Sequence, residues 1–319
     1  MEKLTNAKVS VIVPTIGRPD SLMDLLNSIA LQTKKAYEII VADASSGSEI
    51  HSVIANACWA RAGLRVERIA VEEPNAVHQR RLAIAKATGE FLLLLDDDVV
   101  LERDCVEEML KLFESNIEVV GVFADFNNQD WPVPARCWRL YLRYFHRIKA
   151  GEWQGRVFGP LLRYGYNPRP LHPMRVEWLG AGNSMILRGA YEKAGGFSGF
   201  FLHRCTMNED VDLGLKLARI GTLLFCPSAR MAHLHAPGGR LPVKVVAEDD
   251  IFNRYMILRK TREYGFLHAL GLVFLFVVVE TASGFVGSLR RLTFIGFGSR
   301  FHGRALGLIR AILYREGGA

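Results

Sequence analysis

The sequence predicts an α/β fold in which helices flank a mostly parallel sheet. Strand and helix patterns alternate up to about residue 125, and the uninterrupted apolar run at residues 91–95, FLLLL, is typical of a strand buried on both faces. Parallel strands joined by helices place their carboxyl ends at one edge of the sheet. Ligands bind in the crevice outside that edge, so residues that follow the strands are candidates for a site.

The elements follow from their apolar periodicity and their flanking turn residues. Strands are predicted at residues 8–15, 37–45, 64–71 and 91–95, and helices at residues 19–33 and 76–89. With this order, the ligand edge gathers Pro14, Thr15, Asp43 and the triplet at residues 96–98.

Three consecutive acids, Asp96, Asp97 and Asp98, end the fourth strand. Clustered carboxylates repel one another unless a cation neutralises them, and Mg²⁺ or Mn²⁺ suits carboxylates that also face phosphate oxygens. A solvated acidic loop that caps the next helix is the alternative interpretation of the triplet.

Two nucleotide-binding motifs are missing from the sequence. The first strand is followed by TIGRPD, which lacks the Gly-x-Gly-x-x-Gly spacing of a dinucleotide site, and the chain has no Gly-x-x-x-x-Gly-Lys-Ser/Thr loop. A bound nucleotide would therefore be held by side chains and a metal.

A second acidic group lies in residues 178–221. A short strand is predicted at Met185–Leu187, and Glu209 and Asp210 open a later helix. Acids are favoured in a first helical turn by the helix dipole, so capping is one explanation and chemistry is another. His233 follows a further short strand.

The order of these motifs resembles the family 2 glycosyltransferases, which have the GT-A fold. The resemblance spans about residues 8–240 and includes VIVPT, Asp43, the DDD triplet, GGF at 195–197 and NEDVDLGLKLARIG at 208–221.

The resemblance implies roles for individual residues. Pro14, Thr15 and Asp43 would line the nucleotide pocket, and Asp96 with Asp98 would hold the metal and the diphosphate, with Asp97 beside the nucleotide sugar. Asp210 would be the catalytic base, with Glu209 beside it, and His233 would contact the metal or the diphosphate. Where the family often has Arg-Asn, this chain has Arg80 and Arg81, so Arg80 would contact the diphosphate and the asparagine has no counterpart.

Charge divides the chain into two predicted regions. Residues 1–250 contain 30 basic and 30 acidic residues, whereas residues 251–319 contain ten Lys or Arg and three acids. Within this tail, residues 265–288 are apolar and precede Arg290 and Arg291, which predicts a membrane-embedded or interfacial helical hairpin. A core helix docked on a catalytic domain at residues 1–250 is the alternative.

The segment at residues 131–175 is basic and aromatic, with nine Lys or Arg and one acid. In RCWRLYLRYFHRIKAG, the arginines form one helical stripe and the aromatic residues another, which is typical of an in-plane membrane helix or of an amphipathic helix packed on the core. Either arrangement suits a lipid-linked or cell-envelope glycan acceptor.

We therefore expect an inverting, metal-dependent glycosyltransferase that uses a UDP-, dTDP- or GDP-sugar at the cytoplasmic face of the membrane. The N-terminus lacks the apolar core of a secretory signal, the five cysteines have no metal-ligand spacing, and the basic residues do not form a nucleic-acid recognition module. A nucleotidyl- or phosphotransferase with the same carboxylate-metal site and a noncatalytic membrane scaffold remain open alternatives.

Overall fold

The computed structural model describes residues 6–131, 133–202, 205–238 and 241–314. Its centre is a nine-stranded sheet with the order β3-β2-β1-β4-β10-β6-β11-β5, to which β9 adds beside β11, and β7 pairs with β8 separately. The strands are β1 (Val9–Thr15), β2 (Glu38–Asp43), β3 (Val66–Ala70), β4 (Phe91–Leu95), β5 (Val99–Leu101), β6 (Val119–Phe126), β7 (Val157–Phe158), β8 (Leu162–Arg163), β9 (Met174–Val176), β10 (Asn183–Leu187) and β11 (Thr222–His233).

The first half of the sheet has the predicted parallel arrangement. β1 pairs in parallel with β2 and β4, and β2 pairs in parallel with β3. Every residue of β1, β2 and β4 is buried, because helices cover both faces of these apolar strands. In this register Thr15 lies beside Asp43, so the ends of the two strands meet at the ligand edge.

The second half makes the sheet mixed, whereas the sequence predicted a mostly parallel one. β10 lies between β4 and β6 and is antiparallel to both. A long connection of residues 127–182 separates β10 from β6, and β10 runs in the opposite direction to β6. β11 is parallel to β6, and its last residue, His233, pairs with Val99 beside the acid triplet.

The helices cover the sheet and form a C-terminal layer. Their bounds are α1 (Pro19–Ala30), α2 (Glu49–Ile54), α3 (Cys58–Arg61), α4 (Ala76–Lys86), α5 (Cys105–Ser115), α6 (Arg136–Phe145), α7 (Arg188–Lys193), α8 (Glu209–Leu217), α9 (Val243–Lys260), α10 (Phe266–Arg291) and α11 (Phe297–Leu313), with a 3₁₀ turn at Gly199–Phe201.

Helix α9 connects the sheet-containing part of the fold to the C-terminal helices. Residues Ile251–Leu258 of this helix are buried, and the predicted domain boundary between residues 250 and 251 falls inside it. α11 packs closely on α9 through Gly303 and Gly307, where an added β-carbon would lie 2.3 Å and 2.4 Å from backbone oxygens of α9. The C-terminal helices are therefore packed on the rest of the fold through α9.

Residues 265–288 form part of one continuous helix, α10, and not the hairpin that the sequence predicted within them. The hairpin consists of α10 and α11, and it turns at Leu292 and Gly296, which both have positive φ. The physical reason is that glycines inside a helix keep their backbone hydrogen bonds, whereas the helix ends where Leu292 adopts a left-handed conformation.

Helix α6 packs its aromatic side on α10. Trp138 is 3% exposed, stacks on Phe276 and donates a hydrogen bond to Glu280 Oε1 at 2.8 Å. Tyr144 and Phe145 at the end of α6 remain exposed. The helix thus has the core-packed arrangement that the sequence left open, with an exposed aromatic end.

Candidate active site

A cleft of about 390 Å³ opens at the carboxyl edge of the sheet, where β1 and β4 lie side by side. This is the edge at which the sequence predicted a ligand site. Six predicted site residues line the cleft together with residues of the following loops and of α4: Pro14, Thr15, Ile16, Arg18, Ala76, Gln79, Asp96, Asp97, Asp98, His233, His235 and Ala236.

The three acids after β4 face different partners, although they are consecutive in the sequence. Asp97 is buried and accepts a hydrogen bond from Thr15 Oγ1 at 2.7 Å, and its Oδ1 pairs with Arg18 Nη1 at 3.0 Å. Burial raises the pKa of the Asp97 carboxyl despite these partners. Asp97 therefore ties Arg18 to the end of β1.

Asp98 faces the wall of the cleft that β11 forms. Its Oδ1 lies 3.1 Å from His233 Nε2, and its Oδ2 accepts a hydrogen bond from the N–H of Ala236 at 2.9 Å. Burial acts to raise the pKa of Asp98, but His233, Ala236 and Arg18 outweigh burial, and the pKa lies below its usual value. The hydrogen bond to Asp98 in turn raises the pKa of His233.

Asp96 faces α4 and α8. Its Oδ1 lies 2.5 Å from Arg80 Nη2, and Arg80 Nη1 lies 3.4 Å from Glu209 Oε1. Because Arg80 is 3% exposed, its guanidinium is a buried bridge between the two acidic motifs that the sequence identified. A β-carbon at Gly182 would lie 2.2 Å from Asp96 Oδ2, so only glycine permits the observed position of this carboxylate.

Glu209 and Asp210 lie in the first turn of α8, and Asn208 is the capping residue. Burial and then the charge of Asp210 raise the pKa of Glu209 to about 8, although Arg80 acts in the opposite direction. Asp210 Oδ1 accepts a hydrogen bond from the N–H of Val211, and Asp210 Oδ2 lies 3.5 Å from Arg163 Nη2.

Other predicted residues lie near the cleft and contact it indirectly. Asp43 ends β2, where its Oδ2 pairs with Arg68 at 2.8 Å and its Oδ1 accepts a hydrogen bond from the N–H of Ser45. Arg80 and Glu209 reach the cleft through Asp96.

The sequence interpretation missed three side chains at the site. Arg18 binds Asp97 and donates a hydrogen bond to the carbonyl of Gly238 at 2.6 Å, and Gln79 donates to the carbonyls at the ends of β1 and β2. Arg163 approaches Asp210 from β8, which is distant in the sequence. A basic residue directly after the first strand, opposite an acid triplet, was a usable signal for Arg18; the other two become visible only when the chain is folded.

Asp96, Asp98 and His233 fit a metal ion. One ligand atom from each lies within 4.8 Å of the other two. Two carboxylates and an imidazole form a donor set that Mn²⁺ accepts, and carboxylates also suit Mg²⁺. The three residues are those for which the sequence predicted a metal role.

Part of this chain is similar in sequence to known glycosyltransferases. The family model described as Glycosyl transferase family 2 matches residues 10–164. An uncharacterised glycosyltransferase of Rickettsia felis is 33% identical over 162 residues, which cover 50% of this chain and 24% of that protein. The poly(ribitol-phosphate) beta-N-acetylglucosaminyltransferase TarS of Staphylococcus aureus is 28% identical over 103 residues, which cover 32% of this chain and 18% of TarS. The matched region thus spans about a quarter or less of these relatives' lengths.

Solved glycosyltransferase structures share the architecture. The mannosyltransferase PcManGT from Pyrobaculum calidifontis, in complex with GDP-Man and Mn²⁺, has a TM-score of 0.56 at 16% identity over 97% of this chain and 87% of that chain. TarS 1-349 from S. aureus, in complex with UDP-GlcNAc, has a TM-score of 0.57 at 14% identity over 96% of this chain and 81% of that chain. The predicted fold class is confirmed. Residues 10–164 match the glycosyl transferase family 2 model, and the chain has the GT-A fold that the solved glycosyltransferase structures share.

Proposed function

We propose that this protein is an inverting, metal-dependent glycosyltransferase that moves a sugar from a nucleotide-sugar donor to a hydroxyl acceptor. The observation that carries the proposal is the buried Arg80 bridge, which holds the metal-ligand candidate Asp96 and the Glu209–Asp210 pair at one site. One acidic group then lies beside the leaving diphosphate and another near the acceptor hydroxyl, as single displacement requires.

The cleft suits the donor. Pro14 and Thr15 line it at the end of β1, with Asp43 behind them, where the base and ribose of a nucleotide would bind. Proteins of the same fold bind UDP-GlcNAc in one solved structure, and GDP-Man with Mn²⁺ in another. Asp96, Asp98 and His233 would hold Mg²⁺ or Mn²⁺, which neutralises charge that develops on the leaving diphosphate. Since a ligating imidazole is neutral, metal binding would release the proton that Asp98 favours on His233.

Asp210 is the proposed base that removes the proton of the acceptor hydroxyl. Its partly exposed side chain lies in the first turn of α8, directly after Glu209 in the chain. With a pKa of about 8, the neighbouring Glu209 holds its proton near neutral pH and is therefore not available as the base there. A single base opposite the leaving group implies inversion at the anomeric carbon.

The Asp210→Asn variant tests this assignment. Asparagine keeps the size of the side chain but cannot act as a base, so turnover should fall by about 10²- to 10⁴-fold while donor affinity persists. The parent should release nucleoside diphosphate and no pyrophosphate, which excludes nucleotidyl transfer. Asp104→Asn is the matched control, because Asp104 is an exposed acid at the start of another helix. A turnover of Asp210→Asn within a few-fold of the parent would refute the base assignment.

We further propose that the enzyme binds the cytoplasmic face of a membrane and takes a lipid-linked or cell-envelope glycan acceptor. Among the described residues, α10 is the helix long and apolar enough to cross a membrane, and 17% of its most apolar stretch is buried. Its inner side is held by α6 and α9, and it also exposes apolar residues such as Val286 and Leu289. Exposed apolar area of this extent, next to Arg290 and Arg291, favours an anionic bilayer surface.

Vesicle sedimentation tests the membrane proposal. The double variant Val286→Ser/Leu289→Ser should lose affinity for vesicles that contain phosphatidylglycerol, because it removes exposed apolar surface of α10. Ile117→Ser is the matched control, since Ile117 is 93% exposed on a distant turn. Equal sedimentation of the double variant and the parent would contradict the proposal. Deletion of residues 251–319 is unsuitable as a test, because it removes the buried part of α9.

A further inference from the structure

A buried polar chain leads from α9 to the proposed base, and Asn208 is at its centre. Asn208 is 2% exposed and adopts φ 72°, a left-handed conformation that is uncommon outside glycine. Its Oδ1 accepts a hydrogen bond from Arg163 Nη1 at 2.7 Å, and its Nδ2 donates one to Asp250 Oδ1 at 2.7 Å. Both ends of the amide are thus engaged immediately before Glu209 and Asp210.

Arg163 contacts the proposed base directly. Its Nη2 lies 3.5 Å from Asp210 Oδ2, and its guanidinium lies over the ring of Trp178 at 5.5 Å. With Nη1 on Asn208, the guanidinium is oriented from three sides. A planar, permanently charged group held in this way positions the carboxylate that it faces.

Helix α9 holds both segments that bear these residues. Asp250 accepts hydrogen bonds from Asn208 and from Arg254 Nε, the latter at 3.1 Å. Arg254 Nη1 donates to the carbonyls of Pro160 and Leu161 at 2.7 Å and 3.1 Å, just before Arg163. The segment before Arg163 and the residue before the Glu209–Asp210 turn are therefore both hydrogen-bonded to one ion pair on α9, Asp250–Arg254.

We propose that Arg163 is a positioning residue for Asp210, and that the Asp250–Arg254 pair of α9 sets the geometry of both. This inference rests on the proposed function, in which Asp210 is the base. Arg163 acts on Asp210 by direction and by charge: it holds Oδ2 toward the acceptor and places a cation beside the carboxylate. The role differs from an acceptor contact, because Arg163 would act through Asp210 and not on the substrate.

The charged groups that face Asp210 give the sign of the expected pH effect. Arg163 approaches it from β8 and Glu209 from its own helix, Arg80 of α4 lies beyond Glu209, and Asp250 of α9 lies beyond Asn208. Replacement of Arg163 by a neutral residue removes the cation that contacts the Asp210 carboxylate, and Arg80 lies farther away, beyond Glu209. The acid limb of the kcat–pH profile should therefore move to higher pH.

The test compares Arg163→Gln with Arg163→Lys in the full-length protein. Arg163→Gln should lower kcat by about tenfold or more and shift the acid limb upward by about one pH unit, with the KM values for donor and acceptor little changed. Arg163→Lys keeps the charge and should restore the position of the acid limb while kcat recovers only in part. Arg156→Gln is the matched control, because Arg156 is an exposed arginine directly before β7, the strand that pairs with β8.

A double-mutant cycle separates this inference from the proposed function. If Arg163 acts through Asp210, the double variant Arg163→Gln/Asp210→Asn should be no slower than Asp210→Asn alone. Additive losses, or a raised acceptor KM with an unchanged pH profile, would overturn the positioning role and indicate an acceptor contact. If Asp210→Asn alone left turnover unchanged, the proposed base itself would be wrong.

Asp250→Asn provides an independent variant two contacts away from the base. This substitution weakens the ion pair with Arg254 and does not change Arg163 itself. Because the geometry around Asp210 is then less well held, kcat should fall while the affinity for the donor is retained. Circular dichroism melting shows whether each variant is folded. A folded Asp250→Asn protein with the parent's kcat and pH profile would refute the role of α9.

Discussion

Replacement of Gly182 by alanine should impair the metal site without a change in any charged residue. The added β-carbon would lie 2.2 Å from Asp96 Oδ2 and 2.5 Å from Asp96 Cγ. Because ordinary carbon–oxygen contacts begin at about 3.4 Å, the carboxylate must move away by about 1 Å. That displacement is large against metal–oxygen bonds of about 2.0–2.2 Å, so Asp96 should cease to be an effective ligand.

The magnitude follows from the kind of perturbation. Displacement of a supporting group typically weakens metal affinity or activity by about 10- to 100-fold, equivalent to roughly 1.4–2.8 kcal/mol. Protein stability should change little, because the atom that must move is the free end of a side chain and no backbone atom lies as close. Gly182→Ala should therefore separate metal-dependent function from folding.

Calorimetry measures the affinity of each variant for a nucleoside diphosphate, in Mn²⁺ and in EDTA. The ligand is whichever of UDP, dTDP and GDP the parent protein binds best. We expect the loss of affinity in Mn²⁺ alone. Gly189→Ala is the matched control, since its β-carbon would meet no atom within 4 Å. Parent-like affinity of Gly182→Ala in Mn²⁺, or an equal loss in EDTA, would refute the placement of the metal at Asp96.

Three further predictions concern charge and packing. Asp98→Asn should weaken nucleotide binding in Mn²⁺ and not in EDTA by calorimetry; equal effects would exclude Asp98 as a ligand. Since the pKa of Glu209 is raised from 4.5 to about 8, the folded protein binds this proton more tightly than the unfolded chain, and parent stability falls as pH rises from 4.5 through 8. The melting temperature of Glu209→Gln relative to the parent should therefore rise between pH 5 and pH 8 and then level off, and a pH-independent difference would contradict the burial of Glu209. Gly307→Ala should destabilise the fold by about 1–3 kcal/mol in urea melts, because its β-carbon would lie 2.4 Å from the backbone of α9. Gly271→Ala should not, because the space around Gly271 is open. Equal stabilities of the two variants would refute the close packing of α11 on α9.

Local patterns were sufficient for the parallel half of the fold. Apolar runs such as VSVIVPT and FLLLL require burial on both faces wherever they occur, so their pairing and the position of the acids that follow them could be predicted. The direction of β10 could not be predicted, because a short strand after a long excursion is compatible with either orientation until its neighbours are known.

The sequence by itself determined which chemical groups the site has, and the tertiary structure decided how they are paired. An acid triplet after a buried strand identifies carboxylates, but their residue numbers do not reveal that Asp97 pairs with Arg18 while Asp98 contacts His233. The contact of Arg163 with Asp210 joins β8 to α8, and the Asp250 hydrogen bond joins α8 to α9. Such contacts depend on the packing of elements far apart in the chain, because charge and hydrogen-bond energies depend on distances of a few ångströms, which only the folded chain defines.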